Sequence, residues 1–137
     1  MPLPLGTITL TSQGDKSLLT ALDDQNGAPV ALLPGEAEPS QQWLVDSAGG
    51  GFILRLAPAP SLFLTARSAD FMAPLVLSNI PRLARWTVVE QDEGIILQLA
   101  DAPLRAANSL LRIYPPRVAL MDPDFPGAIT WIPSPVG

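Results

Sequence analysis

The side chains that carry most nucleophilic and acid–base chemistry in enzymes are missing from this chain. Its 137 residues include no histidine and no cysteine. Ser-His and Cys-His nucleophile pairs, a disulfide framework and a structural zinc site are therefore excluded. Catalysis by two carboxylates stays formally open, but most of the acids lie in turns rich in Pro and Gly, where they commonly act as turn formers. We expect a binding protein rather than an enzyme, with no cofactor and no metal.

One polar segment combines groups that bind hydroxyls. Asp23, Asp24, Gln25 and Asn26 follow one another directly before Gly27. Carboxylates accept hydrogen bonds and amides both donate and accept them, so this segment is a candidate carbohydrate site. Asn-Gly is also typical of a tight turn, and the sequence alone leaves both interpretations open.

The elements that position such loops repeat along the chain. Trp43, Trp86 and Trp131 are nearly evenly spaced. Three other landmarks keep the same order in each copy. They are an apolar–polar–apolar triplet at 8–10, 54–56 and 97–99, a pair of small residues at 20–21, 65–66 and 106–107, and an apolar run at 30–32, 75–77 and 118–120. Four landmarks in one order indicate an internal threefold repeat.

Each copy predicts four short strands, because alternation such as Ile8-Thr9-Leu10 is the signature of a half-buried strand. Three units of four strands, about 45 residues each, predict an all-β fold, a β-trefoil with a barrel and a hairpin cap. We expect one domain over 1–137, with unit one at about 1–47, unit two at about 48–91 and unit three at about 92–137. The tryptophans and the apolar triplet residues should form the core, and a helical turn is expected near 81–85.

Charge and hydropathy restrict the partners. The formal charge of −5 and the pI near 4.4 argue against nucleic acid. The apolar runs are short and interrupted, so no membrane span of about 20 residues is predicted. The chain starts without the charged and apolar regions of a signal peptide. We therefore expect no secretion signal and a cytoplasmic location.

Three segments resemble the fungal (mushroom) β-trefoil inhibitors of serine proteases. They are 30–43 (VALLPGEAEPSQQW), 85–90 (RWTVVE) and 99–103 (LADAP). This resemblance implies inhibition of trypsin-like proteases, which would be the protein partners, through one exposed loop and without a cofactor.

Such a loop needs a stiff, exposed segment, because preorganisation reduces the entropy lost on binding. Arg112 and Ile113 lie in 108–117, where Tyr-Pro-Pro would stiffen the backbone. Arg67 and Ser68 lie in the matching loop of unit two, and Asn26 is the exposed candidate in unit one. An arginine could enter the acidic pocket of a trypsin-like enzyme, or could be an ordinary solvent-facing side chain or one paired with Asp70 or Asp101.

The segment 41–43, Gln-Gln-Trp, also resembles the Gln-x-Trp phrase of ricin-B-type lectins. That resemblance implies glycan binding, but the equivalent segments 84–86 and 129–131 lack the glutamine. The acid that these lectins place on the second strand is replaced by Thr or Ala. A carbohydrate site, if present, is therefore expected elsewhere, around 23–26.

The glycine triplet 49–51 leaves one more alternative open. Related trefoils that inhibit cysteine proteases insert glycine-containing loops into the enzyme cleft, although a hairpin turn is the more ordinary role of such a triplet. A scaffold domain without a small ligand is the remaining alternative.

Overall fold

The computed structural model describes residues 5–13, 16–35, 38–80, 82–91, 94–100, 102–109, 115–122 and 130–136. Within these residues the chain forms twelve strands and a short 3₁₀ turn at Pro39–Gln41. The strands are β1 (Gly6–Ser12), β2 (Leu18–Ala21), β3 (Val30–Leu33), β4 (Trp43–Ala48), β5 (Gly51–Leu56), β6 (Ala59–Ala66), β7 (Leu75–Ser78), β8 (Arg85–Gln91), β9 (Gly94–Leu99), β10 (Arg105–Asn108), β11 (Val118–Met121) and β12 (Thr130–Pro135).

The first and fourth strands of the three units close into a barrel. β1 pairs with β4, β4 with β5, β5 with β8, β8 with β9, β9 with β12, and β12 with β1, all antiparallel. The closed ring leaves no barrel strand with an open edge. The second and third strands form the hairpins β2–β3, β6–β7 and β10–β11. The predicted β-trefoil with its hairpin cap is confirmed.

The alternation of apolar residues fills the barrel as the sequence predicts. The three tryptophans and the triplet residues are each at most 1% exposed, namely Trp43, Trp86, Trp131, Ile8, Leu10, Leu54, Leu56, Leu97 and Leu99. They belong to one continuous apolar cluster that also includes the inward face of the hairpins. Burial of this surface is the main favourable term for the fold.

The tryptophan indoles give an exact alignment of the units. Each Nε1 donates to a backbone oxygen on the second strand of its own unit, at 3.0 to 3.2 Å, and the acceptors are Leu19, Leu64 and Ala106. Thr20 and Thr65 therefore correspond to Ala107. The alignment of 106–107 with 20–21 and 65–66 is wrong by one residue, because Asn108 pairs with Val118 as Ala21 pairs with Val30.

The three cap hairpins are joined in a ring. A backbone N–H of the third strand of each unit donates to a carbonyl just before the third strand of another unit. The bonds are Leu32 to Pro116 at 2.8 Å, Leu77 to Ala28 at 2.9 Å and Leu120 to Ala73 at 2.9 Å. The hairpins therefore contact one another around the pseudo-threefold axis rather than standing alone.

Two local expectations have different outcomes. The helical turn expected near 81–85 is wrong, since 82–83 forms a non-helical turn and the 3₁₀ turn lies in unit one, where Pro39 supplies the backbone angle that favours a first helical position. The glycine triplet forms a hairpin turn. Gly49 and Gly50 have φ of 53° and 88°, as a two-residue turn between β4 and β5 requires.

Candidate ligand-binding sites

Units one and two present equivalent surfaces outside the barrel, where the hairpin meets the turn before the tryptophan. In unit one a cavity of about 460 Å³ lies here, and it is lined by Thr20, Ala21, Leu22, Leu33, Pro34, Glu38, Ser40 and Gln41. In unit two a cavity of about 310 Å³ lies here, and it is lined by Thr65, Ala66, Arg67, Val76, Ser78, Ile80, Arg82 and Leu83.

Gln41 forms the floor of the unit-one cavity. Its side chain is 2% exposed, and its Nε2 donates to the Pro34 carbonyl at 2.9 Å and to Thr20 Oγ1 at 3.3 Å. The Thr20 hydroxyl in turn donates to the Leu18 carbonyl at 2.8 Å. This network fixes the polar groups before any ligand arrives, which reduces the ordering cost of binding.

A second cavity of about 340 Å³ adjoins the first and shares Ala21, Leu22, Glu38 and Ser40 with it. Asp23 and Asp24 line this second cavity. We call the two adjoining cavities together the acidic cavity. Its carboxylates come from the loop after β2 and from the residue before the 3₁₀ turn, so they stand on different segments of unit one.

Backbone contacts hold the acidic loop. The Asp24 N–H donates to Asp23 Oδ1 at 2.8 Å, and the Leu22 N–H donates to the Pro29 carbonyl at 3.1 Å. Asp23 therefore keeps its second carboxylate oxygen for another donor.

The unit-two cavity has the opposite charge. Arg67 occupies the place of Leu22, because the N–H of Arg67 donates to the Pro74 carbonyl at 3.0 Å as that of Leu22 donates to Pro29. Arg82 precedes Trp86 by the same number of residues as Pro39 precedes Trp43. We call this space the arginine cavity.

In unit three, three described residues at the equivalent strand positions are apolar. Ala107, Ala119 and Met121 are at most 3% exposed and form a small cluster of their own. Ala107 has no hydroxyl where the other units have Thr20 and Thr65. This part of the surface therefore offers a ligand no side-chain polar group on these three residues.

Of the loop residues predicted from the sequence, the structure describes Asn26, Arg67 and Ser68. Asn26 is exposed, and its Oδ1 accepts a hydrogen bond from the Asn79 N–H at 3.0 Å. Arg67 stands at the base of its loop, with Ser68 half-buried beside it, while Phe71 and Met72 are the exposed apolar residues of the same loop. Arg112 and Ile113 lie outside the described residues.

The carbohydrate site expected around 23–26 is changed by the structure, which keeps two of its four residues at a cavity and adds two others. Asp23 and Asp24 line the acidic cavity, whereas Gln25 and Asn26 do not. Glu38 and Ser40, which sequence reasoning missed, complete the lining. Their only sequence signal is their position shortly before the Gln-Gln-Trp segment.

The described residues offer neither a metal centre nor a membrane-spanning helix. No group of three or more acidic side chains there is arranged to hold a metal ion, so the acids of the acidic cavity are not placed as a metal centre. No helix among those residues is long and apolar enough to cross a membrane.

No family model and no curated protein sequence matches the chain. Solved structures do match it. A mosquitocidal holotoxin aligns with a TM-score of 0.87 and 12% identity over 98% of this chain, which spans 18% of the toxin. The designed threefold symmetric protein ThreeFoil aligns with 0.86 and 16%, covering 96% of this chain and 99% of the design.

The ricin B-like lectin of Macrolepiota procera, solved in complex with lactose, aligns with a TM-score of 0.84 and 17% identity, covering 99% of this chain and all of the lectin. At these identities the similarity shows the fold. It confirms the β-trefoil expected from the threefold repeat, while the resemblances to mushroom protease inhibitors and to ricin-B-type lectins stay predictions.

Proposed function

We propose that this protein is a carbohydrate-binding trefoil and that its site is the acidic cavity of unit one. The observation that carries the proposal is the convergence of Asp23, Asp24, Glu38 and Ser40 on one cavity of about 340 Å³. The Macrolepiota procera lectin, a complex with lactose, supports the same class of ligand. On these two grounds, we place carbohydrate binding ahead of protease inhibition, which the sequence resemblance favours.

The chemistry of the cavity suits a sugar ring. Carboxylate oxygens accept hydrogen bonds from neighbouring hydroxyls, and bonds to an ionised acceptor are the stronger kind. The Ser40 hydroxyl can both donate and accept, and Leu56 and Pro58 line the same space with apolar surface. A few oriented polar groups beside an apolar wall are the usual composition of a small-molecule site.

The lining also sets the expected strength of binding. The described residues of the two cavities include no aromatic side chain on which a sugar ring could stack. We therefore expect dissociation constants of about 1 mM for mono- and disaccharides.

The test is a titration with lactose followed by NMR of the backbone amides. The expected result is movement of amides in 20–24 and 38–41. Asp23→Asn and Glu38→Gln should each weaken binding about tenfold, because each removes a charged acceptor. Asp70→Asn is the matched control, since Asp70 is an exposed acid in the corresponding loop of unit two. Silence with lactose and with a glycan array would contradict the proposal.

Inhibition of a trypsin-like protease is the second candidate, and one observation favours it. The loop of Arg67 is exposed yet held by backbone bonds from Arg67 to Pro74, from Ala73 to Asp70 and from Met72 to Leu120. A preorganised loop is what a substrate-like inhibitor needs. Immobilised trypsin and papain, used side by side, test this candidate and its cysteine-protease alternative. Retention on trypsin that Arg67→Ala or Arg112→Ala abolishes would support it, and retention on neither resin would end both.

A further inference from the structure

The arginines that the structure describes fall into two groups. Arg55, Arg85, Arg105 and Arg117 each donate a hydrogen bond, to Asp46, the Gly49 carbonyl, Gln98 and the Pro115 carbonyl. Among the described residues, the guanidinium groups of Arg67 and Arg82 have neither a hydrogen bond nor an ion pair. The two without a partner are the two that line the arginine cavity.

None of the described residues that line the arginine cavity is Asp or Glu. The chain as a whole carries a formal charge of −5, so two cations at one cavity go against the general balance. An anion entering this space would meet two unpaired guanidiniums, and a guanidinium matches the two oxygens of a carboxylate bidentately.

The backbone that carries both arginines is held in place. The Ala66 N–H donates to the Leu83 carbonyl at 3.1 Å, and the Arg82 N–H donates to the Ile80 carbonyl at 2.8 Å. Leu83 adopts a left-handed φ of 52°, which is costly for a leucine. Its side chain packs against the core, so the turn that presents Arg82 is anchored despite this strain.

The rest of the lining is not charged. Val76, Ile80 and Leu83 provide apolar surface, and Thr65 Oγ1 donates to the Phe63 carbonyl at 2.9 Å, which leaves its oxygen able to accept from a ligand hydroxyl. A ligand that fits all of these features has an anionic group, a hydroxyl and an apolar face.

We propose that the arginine cavity binds a sugar ring that bears a carboxylate, of the uronic acid class, with Arg67 and Arg82 as the donors to the carboxylate. This inference rests on the proposed function, because it assigns an acidic saccharide to the unit that corresponds to the neutral-sugar site of unit one. The two cavities then differ in ligand because their charges differ.

The experiment is an NMR titration of the arginine Nε signals and backbone amides with glucuronate, with glucose as the uncharged match and acetate as the lone carboxylate. The expected result is movement of Arg67 and Arg82 with glucuronate, at an affinity about tenfold above that for glucose and for acetate. Raising NaCl from about 50 mM to about 500 mM should weaken this binding. Equal affinity for acetate and glucuronate, or unmoved arginine signals, would overturn the proposal.

Variants distinguish the arginine cavity from the acidic cavity. Arg67→Gln and Arg82→Gln should each reduce glucuronate affinity about tenfold, and neither should disturb folding, because both side chains are exposed and unpaired. Arg105→Gln is the control with the same charge change, and it should bind glucuronate as the parent does. If lactose shifts the amides of 20–24 and glucuronate shifts none in 65–83, only the proposal for the arginine cavity is overturned. If glucuronate shifts the amides of 65–83 and lactose shifts none in 20–24, only the proposal for the acidic cavity is overturned.

Discussion

Gln41 Nε2 lies 3.3 Å from Thr20 Oγ1, which joins the turn before β4 to the second strand of unit one. The equivalent of Gln41 in unit two is Ala84, which is buried, so the arginine cavity has no such amide. This contact gives unit one a buried amide in its cavity floor that unit two lacks.

Replacing Gln41 tests that role. Gln41→Leu keeps the approximate volume but removes the donor to the Pro34 carbonyl and to Thr20 Oγ1. We expect a loss of about 1–3 kcal/mol in the free energy of unfolding, because buried acceptors lose a partner, measured by urea denaturation. Gln42→Leu is the control and should change stability by about 0.5 kcal/mol or less, since that side chain is half-exposed. Equal effects of the two variants would contradict the assignment.

Gly51 begins β5 where the chain passes very close to the backbone of Trp86. A Cβ at this position would lie 2.6 Å from the Trp86 carbonyl oxygen. Gly51→Ala should therefore cost about 1–3 kcal/mol, because the backbone must shift. At Gly35 a Cβ would meet only the tip of the Leu18 side chain at 3.0 Å, so Gly35→Ala should be nearly neutral. Thermal unfolding of the two variants checks the difference.

Met72 holds a backbone conformation that suits glycine, with φ of 68°. Its N–H donates to the Leu120 carbonyl as that of Gly27, with φ of 89°, donates to the Leu77 carbonyl. Met72→Gly should raise the free energy of unfolding by about 0.5 kcal/mol, since relief of strain exceeds the added chain entropy. Gly27→Ala should lower it by about 1 kcal/mol. A stability loss in Met72→Gly would show that its side chain contributes more than its backbone costs.

Lactose should stabilise the folded state by mass action. At a ligand concentration 100-fold above the dissociation constant, the expected gain is about 2.7 kcal/mol, measured as a rise in the unfolding midpoint. The gain should fall in Asp23→Asn and stay in Asp70→Asn. Sucrose at the same concentration controls for the general effect of sugars on burial. The same gain with both sugars in all variants would indicate a solvent effect.

The sequence predicts the architecture well because the trefoil depends on repeated local patterns. The even spacing of the tryptophans and the apolar alternation at 8–10 are both visible in the sequence. The apolar residues concerned are buried in the barrel, as these patterns predict. The alignment of unit three could not be predicted to the residue, because Ala106 and Ala107 are identical in type and are distinguished only by contacts in the folded chain, the indole bond of Trp131 and the pairing of Asn108 with Val118.

The acidic cavity and the arginine cavity were also beyond prediction from the sequence, but the reason is different. Asp23 and Glu38, like Arg67 and Arg82, lie far apart in sequence and meet only because a hairpin and a turn pack side by side. Whether an arginine has a partner is likewise a property of the packed chain. The sequence marks Arg67 as a candidate but contains no signal that associates it with Arg82.

The ring of backbone bonds between the cap hairpins has a consequence for how the molecule opens. Since the N–H groups of Leu32, Leu77 and Leu120 each donate to a different unit, none of the three hairpins can detach without breaking a bond to a neighbour. Amide hydrogen exchange should therefore show the same protection at these three positions, with rates governed by global unfolding. The three units repeat in sequence, but the chain should melt as one cooperative body.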